Sequence, residues 1–252
     1  MAGHSKWANI VHRKTRQDAK RSAQFAKLSR LIIIAARNGG GDPDKNIRLR
    51  MAIEAARAAS MPMDNIDHAI KRGTGQLEGV VYEESSYEGY GPGGSALLIE
   101  VLTDNRQRTT SELRNLLKNS GGNLGETNSV MWMFEQKGVV RVPKAAVDEE
   151  TVFLTVADAG AEDVLGDDEE VWEVRCAPRD LQAVAQALRD AGLEPDRTEV
   201  TMIPTTTQMV ADDVAPRLLR LLDALEDLDD VQHVYSNFEI SDTILEQIEG
   251  GS

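Results

Sequence analysis

Gly89-Tyr90-Gly91-Pro92-Gly93-Gly94-Ser95, running straight into Ala96-Leu97-Leu98-Ile99-Glu100-Val101-Leu102-Thr103, decides how the chain has to be read. The glycines satisfy the G-x-G-x-x-G spacing of a dinucleotide-binding turn. Such a turn must open a helix whose N-terminal amides receive a pyrophosphate. The residues from Ala96 to Thr103 form instead a short run rich in Leu, Ile and Val, which reads as a strand. Upstream, Gly79 to Tyr87 is a second strand-like run, so the glycines form a hairpin or strand-connecting loop, and no nucleotide cofactor is expected.

Working outward toward the C-terminus, Thr109 and Glu112 have capping-box spacing and start a helix whose apolar face is Leu113, Leu116 and Leu117. Strand-like runs recur at Val130 to Phe134, Val139 to Val142, Val171 to Cys176, Glu199 to Ile203 and Val231 to Phe238. Helical runs alternate with them at Asp148 to Ala159, Pro178 to Ala191 and Asp212 to Leu225. The result is an α+β body too long and too varied for one sheet. Val139 to Pro204 reads strand-helix-strand-helix-strand, which suits an inserted unit. The expected multidomain arrangement is residues 1–75, then 76–136 together with 205–245, with 137–204 inserted.

Toward the N-terminus the pattern is helical. From His12 to Ala36, Phe25, Leu28, Ile32 and Ala35 recur at helical spacing, with Lys and Arg between them. Asn38-Gly39-Gly40-Gly41 ends this helix. Asp42-Pro43 is expected to cap and open a second, carrying Ile47, Met51, Ile53 and Ala56. Met61-Pro62-Met63-Asp64 begins a third, with Ile66, Ala69 and Ile70 inward, and Lys71-Arg72-Gly73 places cations at its negative end.

Charge divides the chain in the same place. The 252 residues carry a net charge of -14, yet residues 1–72 hold 15 of the 28 Lys and Arg and only 6 of the 42 Asp and Glu. That segment is at +9 and the remainder at -23. A basic module on an acidic body is the asymmetry expected when one end meets a polyanion. The other composition figures, 41% hydrophobic and 28% charged residues with mean hydropathy -0.36, describe a soluble globular chain. Its longest apolar run, Leu31 to Ala36, is too short to cross a bilayer. Met1 to Trp7 has no signal-peptide core, and the single Cys176, in an apolar strand, suits a reducing compartment, so the cytoplasm is expected. No oligomeric state is fixed; a monomer is the default.

The candidate functional residues lie mainly in the basic module. His4, Lys6, Trp7, Asn9, His12, Arg13, Lys14, Arg16, Lys20, Arg21, Lys27 and Arg30 combine phosphate-neutralising cations, polar donors and a stacking face, and Asp18 is the one acid before Asp42. Arg106 and Arg108, in the loop Thr103-Asp104-Asn105-Arg106-Gln107-Arg108-Thr109, add guanidinium groups at a helix start, although a capped loop with solvated arginines explains that stretch equally well. No catalytic or metal-binding constellation stands out. Asp42, Asp44 and Asn46 match the first EF-hand positions, but Ile47 occupies the required glycine and Ile53 the required glutamate. Glu226, Asp227, Asp229 and Asp230 leave a metal-dependent nuclease as a minor alternative, since adjacent acids seldom converge on one cation.

Longer motifs carry a resemblance. Ala2-Gly3-His4-Ser5-Lys6-Trp7-Ala8-Asn9-Ile10 with His12-Arg13-Lys14, Tyr87-Glu88-Gly89-Tyr90-Gly91-Pro92-Gly93-Gly94, Thr103-Asp104-Asn105-Arg106, Gly121-Gly122-Asn123-Leu124-Gly125 and Leu225-Glu226-Asp227 with Asp229-Asp230-Val231-Gln232 resemble the YebC/PmpR family over nearly the full chain. Leu31 stands where the family pattern has an acid, and Asn128 where it has glycine. The resemblance implies an N-terminal helical domain and two ferredoxin-like α+β domains, the third inserted in the second. It also implies a nucleic-acid-binding regulator of gene expression: either a DNA-binding transcriptional regulator or a translation factor at ribosomal RNA, assisting synthesis through proline-rich messages. The expected partners are therefore DNA, ribosomal RNA or the ribosome, with no membrane and no cofactor.

Overall fold

The computed structural model describes residues 18–144, 147–166, 168, 170–241 and 243–244, with side chains from residue 23 onward. Three helices come first: α1 (Asp18–Gly39), α2 (Ile47–Ala58) and α3 (Met63–Gly73). Ile32, Ala35 and Ala36 of α1 are buried against Leu49, Ala52, Ile53 and Ala56 of α2 and Ile66 and Ala69 of α3. Each aliphatic side chain taken out of water there contributes on the order of 2 kcal/mol. Gly40, at φ +84°, ends α1 in the left-handed region and returns its amide to Ala36 O at 2.9 Å. Gly73 lets α3 close on α1, because a Cβ there would stand 2.4 Å from Ile33 O.

The start of α2 departs from expectation. Asn46, not Asp42-Pro43, is the N-cap, its side-chain oxygen accepting from Leu49 N at 3.0 Å. Its amide nitrogen donates to Ala35 O and Gly40 O, both at 2.8 Å, so one side chain ties two helices together. Asp42 caps only the turn before it, accepting from Asp44 N. The inward stripe is consequently Leu49-Ala52-Ile53-Ala56, and Ile47 is exposed.

The body follows as β1 (Glu83–Tyr90), β2 (Ala96–Thr103), α4 (Arg106–Asn119), β3 (Asn123–Leu124), β4 (Phe134–Pro143), α5 (Glu149–Val156), β5 (Ala161–Leu165), β6 (Val171–Cys176), α6 (Leu181–Asp190), β7 (Arg197–Pro204), β8 (Gln208–Met209), α7 (Ala215–Glu226), β9 (Val231–Ser236) and β10 (Phe238–Glu239). Two four-stranded antiparallel sheets result. One has the order β3-β1-β2-β9, the other β5-β6-β4-β7. Residues 134–204 supply every strand of the second, between elements of the first. Leu97, Ile99 and Val101 of β2 pack with Leu113 and Leu117 of α4 and Leu218, Leu221, Leu222 and Leu225 of α7. In the second sheet Val140, Val142, Val174 and Cys176 meet Val152 and Val156 of α5 and Leu181, Val184 and Leu188 of α6. Burial pushes the Cys176 thiol up to about 11, so this cysteine is a core residue.

The glycine loop joins strands, as read. Pro92–Gly94 make a single 3-10 turn between antiparallel β1 and β2, closed by Gly91 N to Ser95 O at 2.8 Å. The inserted unit gains a strand, β5, that its strand-helix-strand-helix-strand reading lacked, and several boundaries move. Residues 79–82 join no ladder, and β1 begins at Glu83. Met131–Met133 form a 3-10 turn, so the strand expected from Val130 starts at Phe134. Thr109 and Glu112 are no capping box: α4 begins at Arg106 behind Asn105, whose side chain accepts from Arg108 N at 3.1 Å.

Candidate nucleic-acid interface

Of the basic-module residues singled out in the sequence, His4, Lys6, Trp7, Asn9, His12, Arg13, Lys14 and Arg16 lie outside the described residues, and Lys20 and Arg21 stand on α1 without described side chains. Lys27 and Arg30 are placed, and they face the body. Lys27 Nζ donates to Glu226 O, and an Arg30 guanidinium nitrogen donates to Asp229 O and lies 3.5 Å from an Asp230 carboxylate oxygen. Burial lowers the Lys27 ammonium below its ordinary pKa, although Glu226, Asp227 and Asp229 oppose that shift. These two cations fasten α1 to the turn between α7 and β9.

Asp230, only 4% exposed, is the centre of that joint. One carboxylate oxygen accepts from Arg108 at 2.7 Å, from Thr109 Oγ1 at 2.7 Å and from Thr103 Oγ1 at 3.1 Å. Arg108 also reaches Asp104 at 2.8 Å. Thr103 Oγ1 accepts from Asn105 N at 2.9 Å, fixing the turn that starts α4. Burial opposes ionisation of Asp230, but the hydrogen bonds from Arg108, Thr109 and Thr103 outweigh it and hold its pKa below the usual range. Arg108 is raised in turn by its hydrogen bonds to Asp230 and Asp104. The segment from Thr103 to Thr109 is thus a structural joint. Arg106, exposed like Arg108, differs from it in having no ion pair among the described residues.

The acidic run at the end of α7 is drawn into contacts with Lys27, Arg30 and Arg108. No group of three or more His, Cys, Asp or Glu is arranged to hold a metal among the described residues. Asp230 already faces two guanidinium groups, which repel a divalent ion.

A second buried carboxylate, Glu88 on β1, was invisible as a functional feature of the sequence. It accepts from the backbone amides of Asn128, Val130 and Met131 at 2.6, 2.7 and 2.8 Å. Burial raises its pKa, and the amides of residues 128 to 131 more than reverse the effect. Asn128 sits at φ +67°, the left-handed conformation for which a glycine is the easier occupant and asparagine a tolerated one.

Comparison with known proteins covers nearly the whole chain. Residues 5–76 match the TACO1/YebC protein N-terminal domain, and residues 82–238 match the TACO1/YebC second and third domain. A probable transcriptional regulatory protein of Persephonella marina is 56% identical over 249 residues, 98% of this chain and 100% of the relative. One of the same description from Moorella thermoacetica is 53% identical over 251 residues, 99% of this chain and 100% of the relative. The crystal structure of a conserved hypothetical protein from Aquifex aeolicus superposes with a TM-score of 0.81 at 45% identity, covering 91% of this chain and 94% of that one. With both family models matched in order and full-length relatives above half identity, this chain belongs to the TACO1/YebC family.

Proposed function

We propose that the protein is a cytoplasmic, nucleic-acid-binding regulator of gene expression, without catalytic activity, whose basic N-terminal segment holds the polyanion. The charge split carries this reading: +9 in residues 1–72 against -23 in the rest. The naming of its full-length relatives as probable transcriptional regulatory proteins supports the regulatory assignment. No helix of the described residues is long and apolar enough to cross a membrane. Residues 137–204 are proposed as the inserted third domain. Their β-α-β-β-α-β succession in the order β5-β6-β4-β7 supports a ferredoxin-like unit there.

The placement of Lys27 and Arg30 favours a second reading, action on ribosomal RNA. A recognition helix presents one face to a major groove. These two cations of α1 face the protein body instead, which leaves shape and phosphate recognition by the more N-terminal cations. Crosslinking in cells followed by sequencing of bound DNA and RNA separates the two, by whether promoters or ribosomal RNA dominate. Replacing Lys14, Lys20 and Arg21 together by glutamine should flatten the slope of log affinity against log salt on duplex DNA by roughly 2 to 3 units, about equally for all sequences. An unchanged slope removes these side chains from the interface.

A further inference from the structure

A half-open cleft of about 610 Å³ lies between the ends of α1 and α3 and the segment leading into β1. Ile33 and Ile34 form its floor, and Leu77, Val80 and Val81 stand on its rim. Val80 and Val81 are each more than half exposed, although both are strong strand formers. Among the described residues the backbone beside them, residues 79–82, joins no ladder. Two guanidinium groups border the cleft, those of Arg37 and Arg72, and neither has an ion pair among the described residues. One carboxylate, Glu78, shares the rim, leaving the lining at a net positive charge.

We propose that this cleft is a docking site for an acidic peptide segment of a partner protein. The segment would lay aliphatic side chains over Ile33, Ile34 and Val80 and direct carboxylates to Arg37 and Arg72. Three features of different kinds converge on that chemistry: exposed aliphatic side chains, a backbone stretch outside the ladders of the described residues, and guanidinium groups with no ion pair among the described residues. Nucleic acid fits less well. The lining is aliphatic, and its one aromatic ring, Tyr82, is packed against the helical core and covered by Arg30, whose guanidinium carbon is 5.5 Å from the ring centre, so no flat face is offered to a base. The site takes two of the cations of residues 1–72, Arg37 and Arg72, but none of the residues singled out in the sequence for nucleic-acid contact.

The test is fluorescence anisotropy of a labelled eight-residue peptide alternating leucine with glutamate, titrated with the full chain. Saturable binding is expected, weakened about tenfold or more by Arg37→Gln with Arg72→Gln, and by Val80→Ser with Val81→Ser. All four side chains are on the cleft rim, and thermal unfolding of each pair checks that the fold is retained. The Lys14, Lys20 and Arg21 triple variant should bind the peptide as the parent does, which keeps this test separate from that of nucleic-acid binding. Slowed hydrogen exchange of the amides of residues 79–82 on peptide addition would support the placement. The proposal falls if the peptide does not bind, if a leucine-lysine peptide binds as tightly, or if both variant pairs bind undiminished. It falls equally if the Arg37 and Arg72 pair loses affinity for a single-stranded oligonucleotide while the peptide's is unchanged.

Discussion

Asp230 and Glu88 are both buried carboxylates in the acidic part of the chain, and both are held below the usual carboxylate pKa, but by opposite means. Asp230 meets side chains: two arginines and two threonines drawn from α1, the end of β2 and the start of α4. Glu88 meets three backbone amides of one turn, four residues long. A side-chain joint couples distant elements and depends on two cations, of which Arg108 is partly solvated. A backbone anchor fixes one loop and has no mobile partner to lose. The first should respond to salt and to substitution of any partner; the second should be local, stronger and salt-insensitive.

The sharpest break is Glu88→Ala. It leaves three inward amides without an acceptor and should cost about 3 to 5 kcal/mol in urea unfolding, with little change between low and high salt. Asp230→Asn keeps the shape but removes the charge opposite Arg30 and Arg108. A loss of about 2 kcal/mol is expected, discounted because Arg108 is 43% exposed, and the gap to the parent should narrow as salt rises. If both substitutions respond alike to salt, the contrast drawn between the two sites is wrong.

Acid offers a third comparison. Both carboxylates have depressed pKa values in the folded chain, so the unfolded chain binds more protons as pH falls through the ordinary carboxylate range. Their stabilisation is present at neutral pH and is lost from roughly pH 5 downward. Glu88→Gln should therefore lose less stability than the parent between neutral pH and about pH 4, by at most about 1 kcal/mol. Equal losses would assign the acid sensitivity elsewhere. The smallest effect is expected for Arg30→Gln, about 1 kcal/mol or less, because Asp230 keeps Arg108 and both threonines. Its signature should be faster hydrogen exchange in α1 with α4 and β9 unaffected; faster exchange throughout would mean that Arg30 supports more than the joint.

The sequence by itself determined the helical N-terminal region, the strand that follows the glycine turn and the α+β class. These follow from local signals: a 3.6-residue apolar period, glycines that stop helices, and β-branched runs between turns. Helix starts were less legible. Asn46 and Asn105 hold the caps expected at Asp42-Pro43 and Thr109, because a cap is chosen by which side chain reaches a free amide in three dimensions. The charge split was likewise readable as a sum over residues, but not how each charge is used. Lys27 and Arg30 read like the cations before them, and only the packing of α1 turns them onto residues 199 positions away. Thr103, Thr109 and Asp230 form one hydrogen-bonded cluster across more than 120 positions, so no window of sequence contains it. Asp230 reads as one of a run of solvated acids until the tertiary structure buries it, and burial is what obliges a carboxylate to take the partners that make it a joint.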